Sequence, residues 1–181
     1  DRLFERDSAF RYQVIPENRM DYQHLNAQNF IILNELDRIS TGLSQELRKN
    51  VENGASILII PSEKIDKDSY EQAFADMRIP FYKEWIEGES KVTSFNRDNF
   101  LYKGVFEKIP ENIELPIVFK YYRLQIPQAS STEILMALQN GDAFVTATSI
   151  GKGKVYMFAS PAHEKFNNLV NQLLFVPSLY N

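Results

Sequence analysis

The chain has 181 residues, 44% of them hydrophobic, including 13 Phe, 9 Tyr and a single Trp; this is globular composition at the length of one domain with its own core, and it excludes a disordered chain. Twenty Lys and Arg against 24 Asp and Glu leave a net charge of −4, so no overall field draws the molecule to nucleic acid or anionic lipid. The absence of cysteine excludes disulfides, thiolate metal sites and thiol nucleophiles, and leaves the redox compartment open.

The charged opening Asp1-Arg2-Leu3-Phe4-Glu5-Arg6-Asp7 is helix-like and is not a signal peptide. No apolar run reaches the roughly 18 residues needed to span a bilayer. Phe10 to Val14 alternates apolar with polar and predicts a short strand, followed by a helical turn carrying Tyr22 and Leu25. Phe30-Ile31-Ile32-Leu33 is then an unbroken apolar run, the signature of a strand buried on both faces. Ser40 or Thr41 can cap a helix whose inner stripe is Leu43, Leu47 and Val51, and Asn53-Gly54 ends it. A second unbroken run, Ile57 to Ile60, completes a βαβ unit with parallel strands. In the next helix Asp68 and Glu71 form a capping-box-like pair, Tyr70, Phe74 and Met77 make one face, and Pro80 stops it.

From Phe81 to Glu114 the pattern is irregular, with one strand predicted at Val92 to Phe95 and a short helix around Leu101 to Phe106. Pro116 opens an aromatic strand, Ile117 to Leu124. Ile134 to Leu138, Phe144 to Ile150 and Val155 to Ser160 form a β-meander, separated by Asn140-Gly141 and by Gly151-Lys152-Gly153-Lys154. Pro161 suits a first helical position, and Phe166, Leu169, Val170, Leu173 and Leu174 recur at helical spacing, which predicts a terminal helix. With no repeat and no linker, residues 1–181 read as a single α/β domain. Its mixed sheet is parallel in the first half, with an antiparallel β-meander near the C-terminus and helices on both faces.

Taken together, Asn29 to Leu36, Ser40-Thr41-Gly42-Leu43, Asn53-Gly54 and Ile57 to Pro61 resemble the three-layer, flavodoxin-like fold of class I glutamine amidotransferases. Gly151 to Pro161 and Phe175 to Tyr180 are similar to the end of the extramembrane region in Bat-type, aerotolerance-associated bacterial proteins, which carry a non-catalytic version of that fold behind paired N-terminal transmembrane helices. The resemblance runs from about Asp21 onward. It implies a membrane-anchored protein, with this domain on the periplasmic or the cytoplasmic side and the membrane reached only through segments outside the chain. The opening without an initiator Met and the stop after Tyr180-Asn181 read as a piece of a longer polypeptide. Asp1 to Asp7 would then be the remnant of a helix whose strand was lost. The enzymes of that family mount a Cys on a strained strand-to-helix elbow with a His-Glu pair downstream. Ile60-Pro61-Ser62-Glu63 has neither the Cys nor the glycines, so amidotransferase chemistry is not expected.

Four residues stand where a ligand would be sought. Asn34, Glu35 and Asp37 follow the first apolar strand, at the carboxyl end where open α/β sheets gather ligands, and a carboxylate pair there could hold a divalent cation or a polar molecule. Turn formation and helix capping account for the same residues and are the preferred reading. Ser62 stands where a nucleophile could, yet it has no basic partner nearby in sequence, and a turn role is preferred. His163 beside Glu164 could serve as a base only in a pocket. His24 stands far from it, and no zinc spacing is present. Gly151 to Lys154 lacks the spacing and the strand-then-helix flanks of a phosphate loop. Tyr121-Tyr122-Arg123 interleaves aromatics with charge as single-strand binders do, but sheet packing explains it.

The expectation is a non-catalytic binding or scaffolding module with protein partners, no nucleic acid and no cofactor. The alternative is a hydrolase or metal-assisted enzyme using Glu35, Asp37 and a histidine at the carboxyl edge of the sheet.

Overall fold

The computed structural model describes residues 11–96 and 114–169. Helix α1 (Tyr22–Leu25) opens with the Asp21 carboxylate accepting the Gln23 amide at 2.9 Å. Strand β1 (Phe30–Leu36), helix α2 (Thr41–Glu52) and strand β2 (Ser56–Pro61) then form the βαβ unit that the two apolar runs predict. Ser40 caps α2 by accepting the Leu43 amide at 3.2 Å, and Leu43, Leu47 and Val51 are its buried stripe. Helix α3 (Lys67–Ala75) is capped two residues earlier than expected, by Asp66, whose carboxylate accepts the Ser69 amide at 3.2 Å. Asp68 instead lies in the first turn, where its charge suits the positive end of the helix dipole. Tyr70, Phe74 and Met77 are buried as predicted.

Arg78 ends the turn that follows α3 in a left-handed conformation, φ 52°, a place where chains favour glycine because a Cβ crowds the following carbonyl. Its side chain is exposed. Replacing Arg78 with Gly should therefore raise stability by about 1 kcal/mol, whereas Arg78→Val should lower it. Urea midpoints of the two variants check both signs.

Seven strands form one sheet in the order β1-β2-β7-β6-β5-β3-β4, completed by β3 (Phe81–Phe95), β4 (Ile117–Gln125), β5 (Thr132–Leu138), β6 (Ala143–Ile150) and β7 (Gly153–Phe158). β1, β2 and β7 run parallel, with Ile31 opposite Ile57 and Ile57 opposite Val155. The β5-β6-β7 meander is antiparallel, as its turns predict. Its last turn is seated on the end of α2: a Cβ on Gly153 would fall on the carbonyl oxygens of Ala55 and Val51. Helices α1, α2 and α3 are joined in one row. The Tyr22 and Ser40 hydroxyls meet at 2.9 Å and Ser44 Oγ donates to the Ala73 carbonyl at 2.7 Å.

Three sequence expectations need correction. β3 is a strand of 15 residues where only Val92 to Phe95 was expected. Its first part pairs with β4 and its last part with β5, with register shifts near Trp85, Ser90 and Ser94 that erase the two-residue period. Residues 11–16 carry no strand, because Tyr12 and Val14, 37% and 63% exposed, have no face to bury. Residues 161–169 form turns instead of starting a helix. The Phe166 carbonyl accepts the Phe119 amide at 2.7 Å and Asn167 bridges Val118, so these backbone groups serve β4. The expectations at Asp1 to Asp7, at Leu101 to Phe106 and from Val170 onward lie outside the described residues.

Candidate functional site at the carboxyl edge of the sheet

The parallel strands β1, β2 and β7 end on one edge of the sheet, and the four candidate residues gather there: Asn34 and Glu35 near the end of β1, Asp37 and Ser62 on the loops just past β1 and β2. Asn34 is exposed, opposite Ile60. Glu35 is the bulged residue between Asn34 and Leu36, exposed and left-handed at φ 55°. Asp37 and Ser62 do come together: the Ser62 hydroxyl donates to the Asp37 carboxylate at 2.9 Å and accepts the Lys64 amide at 3.3 Å. The Asp37 carbonyl also accepts the Asp66 amide at 2.7 Å. The pair thus staples the β1 loop to the β2 loop. Ser62 is not in the strained conformation of a nucleophile elbow, since the left-handed non-glycine residues among those described are Glu35 and Arg78.

Neither histidine joins them. His24 ends α1 on the surface. Exposed His163 accepts the Lys165 amide on Nδ1 at 3.0 Å, a local turn contact. Among the described residues no three His, Cys, Asp or Glu side chains converge on a metal position.

Aromatic side chains fill the edge instead. The Tyr70 hydroxyl donates to the Leu36 carbonyl at 2.7 Å, at the end of β1. The Tyr122 hydroxyl donates to the Glu63 carbonyl at 2.7 Å, just past β2, and the Tyr82 hydroxyl to the Phe158 carbonyl at 3.0 Å, at the end of β7. Each parallel strand thus has an outgoing carbonyl satisfied by a different tyrosine. The rings pack on one another in a file, with centroids at 5.4 Å for Phe74–Tyr70, 5.5 Å for Tyr70–Tyr82, 5.3 Å for Tyr82–Tyr122 and 4.6 Å for Tyr122–Trp85. The first two contacts are edge-to-face and the last two tilted, and such contacts add to the apolar area buried. Burial pushes the Tyr70 and Tyr82 phenols well above their ordinary range, with the Asp37 charge adding to the effect at Tyr70 and the neighbouring tyrosines at Tyr82.

The β3-β4 ribbon carries Tyr82, Trp85 and Tyr122 onto this edge. Residues 159–169 hold it there: the Tyr122 amide donates to the Ala159 carbonyl at 2.7 Å, Ser160 Oγ donates to the Lys120 carbonyl at 2.7 Å, and Lys165 pairs with Glu63 at 3.0 Å. Sequence reasoning missed Tyr70 and Tyr82 as edge residues because each sits on an element whose own pattern shows only that it is buried.

The remaining motifs resolve into structure. Gly151-Lys152 is the hairpin turn between β6 and β7, and Gly153 and Lys154 already belong to β7. Tyr121 and Tyr122 are buried. Tyr121 donates to Asp142 Oδ2 at 2.7 Å and accepts from Asn140 at 2.8 Å, while Arg123 pairs with Glu84 at 2.6 Å. Among the described residues no helix is long and apolar enough to cross a membrane.

No family model matches the sequence, and no curated protein does. Solved structures share the fold. The cytoplasmic protein STM3548 from Salmonella typhimurium is 12% identical with a TM-score of 0.66, over 92% of this chain and 74% of that one. The cytoplasmic protein STM1381 from Salmonella typhimurium LT2 is 16% identical with a TM-score of 0.64, over 88% and 72%. A β-galactosidase from Rahnella sp. R3 is 14% identical with a TM-score of 0.58, over 83% of this chain and 22% of that one.

These likenesses correct the resemblance drawn from the sequence: the neighbours are cytoplasmic proteins and parts of β-galactosidases, not the amidotransferase-like domain of Bat-type membrane proteins. The residues that suggested it, Asn29 to Leu36, Ile57 to Pro61 and Gly151 to Pro161, are punctuation that a βαβ unit followed by a meander requires whatever its family. The paired transmembrane helices were implied by that resemblance alone. At such low identity the shared property is the fold, a mixed α/β sheet.

Proposed function

We propose that this chain is a non-catalytic binding or scaffolding module that meets protein partners through its surface. The observation that carries the reading is the aromatic filling of the carboxyl edge: Tyr70, Tyr82 and Tyr122 occupy the place where open α/β sheets hold ligands. The Ser62–Asp37 pair supports it. A carboxylate is too weak a base to ionise an alcohol, and this serine hydroxyl has no histidine to pass its proton to. The β-galactosidase likeness supports it as well, since the fold spans 22% of that chain and so occurs there as one part of a larger protein.

The competing reading is a hydrolase or metal-assisted enzyme using Glu35, Asp37 and a histidine. Chromogenic ester, phosphate and glycoside substrates, assayed with and without divalent cations, separate the two on wild type, Ser62→Ala and Asp37→Asn. The expected outcome is no turnover that depends on either residue, with Ser62→Ala losing about 1 kcal/mol of stability for the lost loop staple. Turnover abolished by Ser62→Ala or Asp37→Asn in a protein of unchanged circular dichroism would overturn the proposal.

A further inference from the structure

Outside the filled edge, a cavity of about 620 Å³ opens between the first residue of α3 and the paired ends of β3 and β4. Lys67, Lys83, Glu84, Arg123, Leu124 and Ile126 are among its lining residues. It is open to solvent along one side. Lys67, Lys83 and Arg123 line it with Glu84, and Glu71 and Asp142 pair with Lys83 and Arg123 from beside it, so three cations stand among three carboxylates. Leu124 is buried and Ile126 half-buried, which gives the cavity an apolar wall.

Arg123 is held in place from outside the cavity. Its Nε lies 3.4 Å from Asp142 Oδ2, and the same oxygen accepts from Tyr121 at 2.7 Å and Asn140 at 2.9 Å. Its Nη1 pairs with Glu84 at 2.6 Å, and Lys83 pairs with Glu71 at 3.2 Å. Glu84 and Glu71 are 65% and 47% exposed, so both pairs are of the weak surface kind that an incoming anion can replace at little cost. Lys67 makes no ion pair among the described residues.

We propose that this cavity binds a small organic anion, its carboxylate or phosphate head on Lys67, Lys83 and Arg123 and its apolar part on Leu124 and Ile126. The site is separate from Ser62 and Asp37, so it stands or falls independently of the scaffolding reading.

Isothermal titration at low ionic strength tests it with four probes: phenyl phosphate, phenylacetate, inorganic phosphate and neutral benzyl alcohol. At least one of the two organic anions should saturate with a Kd of about 1 mM or below, roughly tenfold tighter than inorganic phosphate or benzyl alcohol. Whichever of the two binds tighter identifies the head group. Lys67→Glu, on the exposed first turn of α3, should weaken binding by about tenfold or more, and Arg123→Gln likewise. Lys152→Glu makes the same change in net charge on the β6-β7 turn and should leave binding unaltered. Neither organic anion saturating, equal affinity for inorganic phosphate or benzyl alcohol, or equal weakening by Lys152→Glu would each overturn the proposal.

Discussion

Between pH 10 and 12 the domain should unfold in one cooperative step. An ordinary tyrosine ionises near pH 10. Burial, and then the charge of Glu133, pushes the Tyr156 phenol up to about 12, and burial raises Tyr70 and Tyr82 as well. The sign follows from proton counting. Above pH 10 the unfolded chain releases these protons while the folded chain keeps them, so the unfolded state binds fewer and stability falls as pH rises. Below pH 10 the contribution is fully present. Each such phenol removes about 1.4 kcal/mol per pH unit, and three together remove on the order of 4 kcal/mol per unit, so the window is wide enough to consume a typical domain stability of about 5–15 kcal/mol. Phenolate absorbance and far-ultraviolet circular dichroism, followed on the same samples, should change together. Tyr82→Phe should make the stability loss shallower by about 1.4 kcal/mol per unit, although it also removes the hydroxyl's bond to the Phe158 carbonyl. A phenolate signal that rises fully near pH 10 while the dichroism stays intact would contradict the burial of these three rings.

Gly153→Ala should cost about 3 kcal/mol or more, an overpacking penalty at the upper end because the obstruction is backbone and cannot rotate away. The added methyl would meet the carbonyl oxygens of Ala55 and Val51, at the junction of α2 with β2. β7 would have to withdraw from β2, where Lys154 stands opposite Ser56 and Val155 opposite Ile57. Gly151→Ala meets the Glu52 backbone and also needs φ 56°, so a loss of similar size is expected there. Lys152→Ala, on the exposed residue between them, should be near neutral. Urea midpoints for the three variants decide the matter, and a fully stable Gly153→Ala would show that the turn does not seat on α2.

The contrast between these glycines and a phosphate loop shows what was legible in the sequence. The β1-α2-β2 unit and the β5-β6-β7 meander announced themselves because their signals are local: apolar runs, a Ser cap, and glycines at turns. The pairing of β7 beside β2 did not, since nothing in Val155 to Phe158 distinguishes a parallel neighbour from an antiparallel one. β3 escaped because one strand serves two partners and shifts register between them, so neither face keeps an even period. Of the candidate residues, the Ser62–Asp37 contact spans 25 positions and could be suspected only from both lying at strand ends. The tyrosines that fill the edge come from α3, β3 and β4, and their meeting is a property of the β3-β4 ribbon's course across the sheet. The cavity lined by Lys67, Lys83 and Arg123 is of the same kind: these are ordinary surface cations until the ribbon packs beside the start of α3.

That ribbon also carries the chain's lone indole. Trp85 lies 4.6 Å from Tyr122 and 5.9 Å from Phe166 by ring centroids, and its Nε1 donates to Glu87 at 3.1 Å. Its fluorescence therefore watches one event, the docking of the ribbon between the strand ends and residues 159–169. Stopped-flow emission traces, set beside traces of backbone signal, would time the closing of this aromatic seam against the assembly of the sheet beneath it.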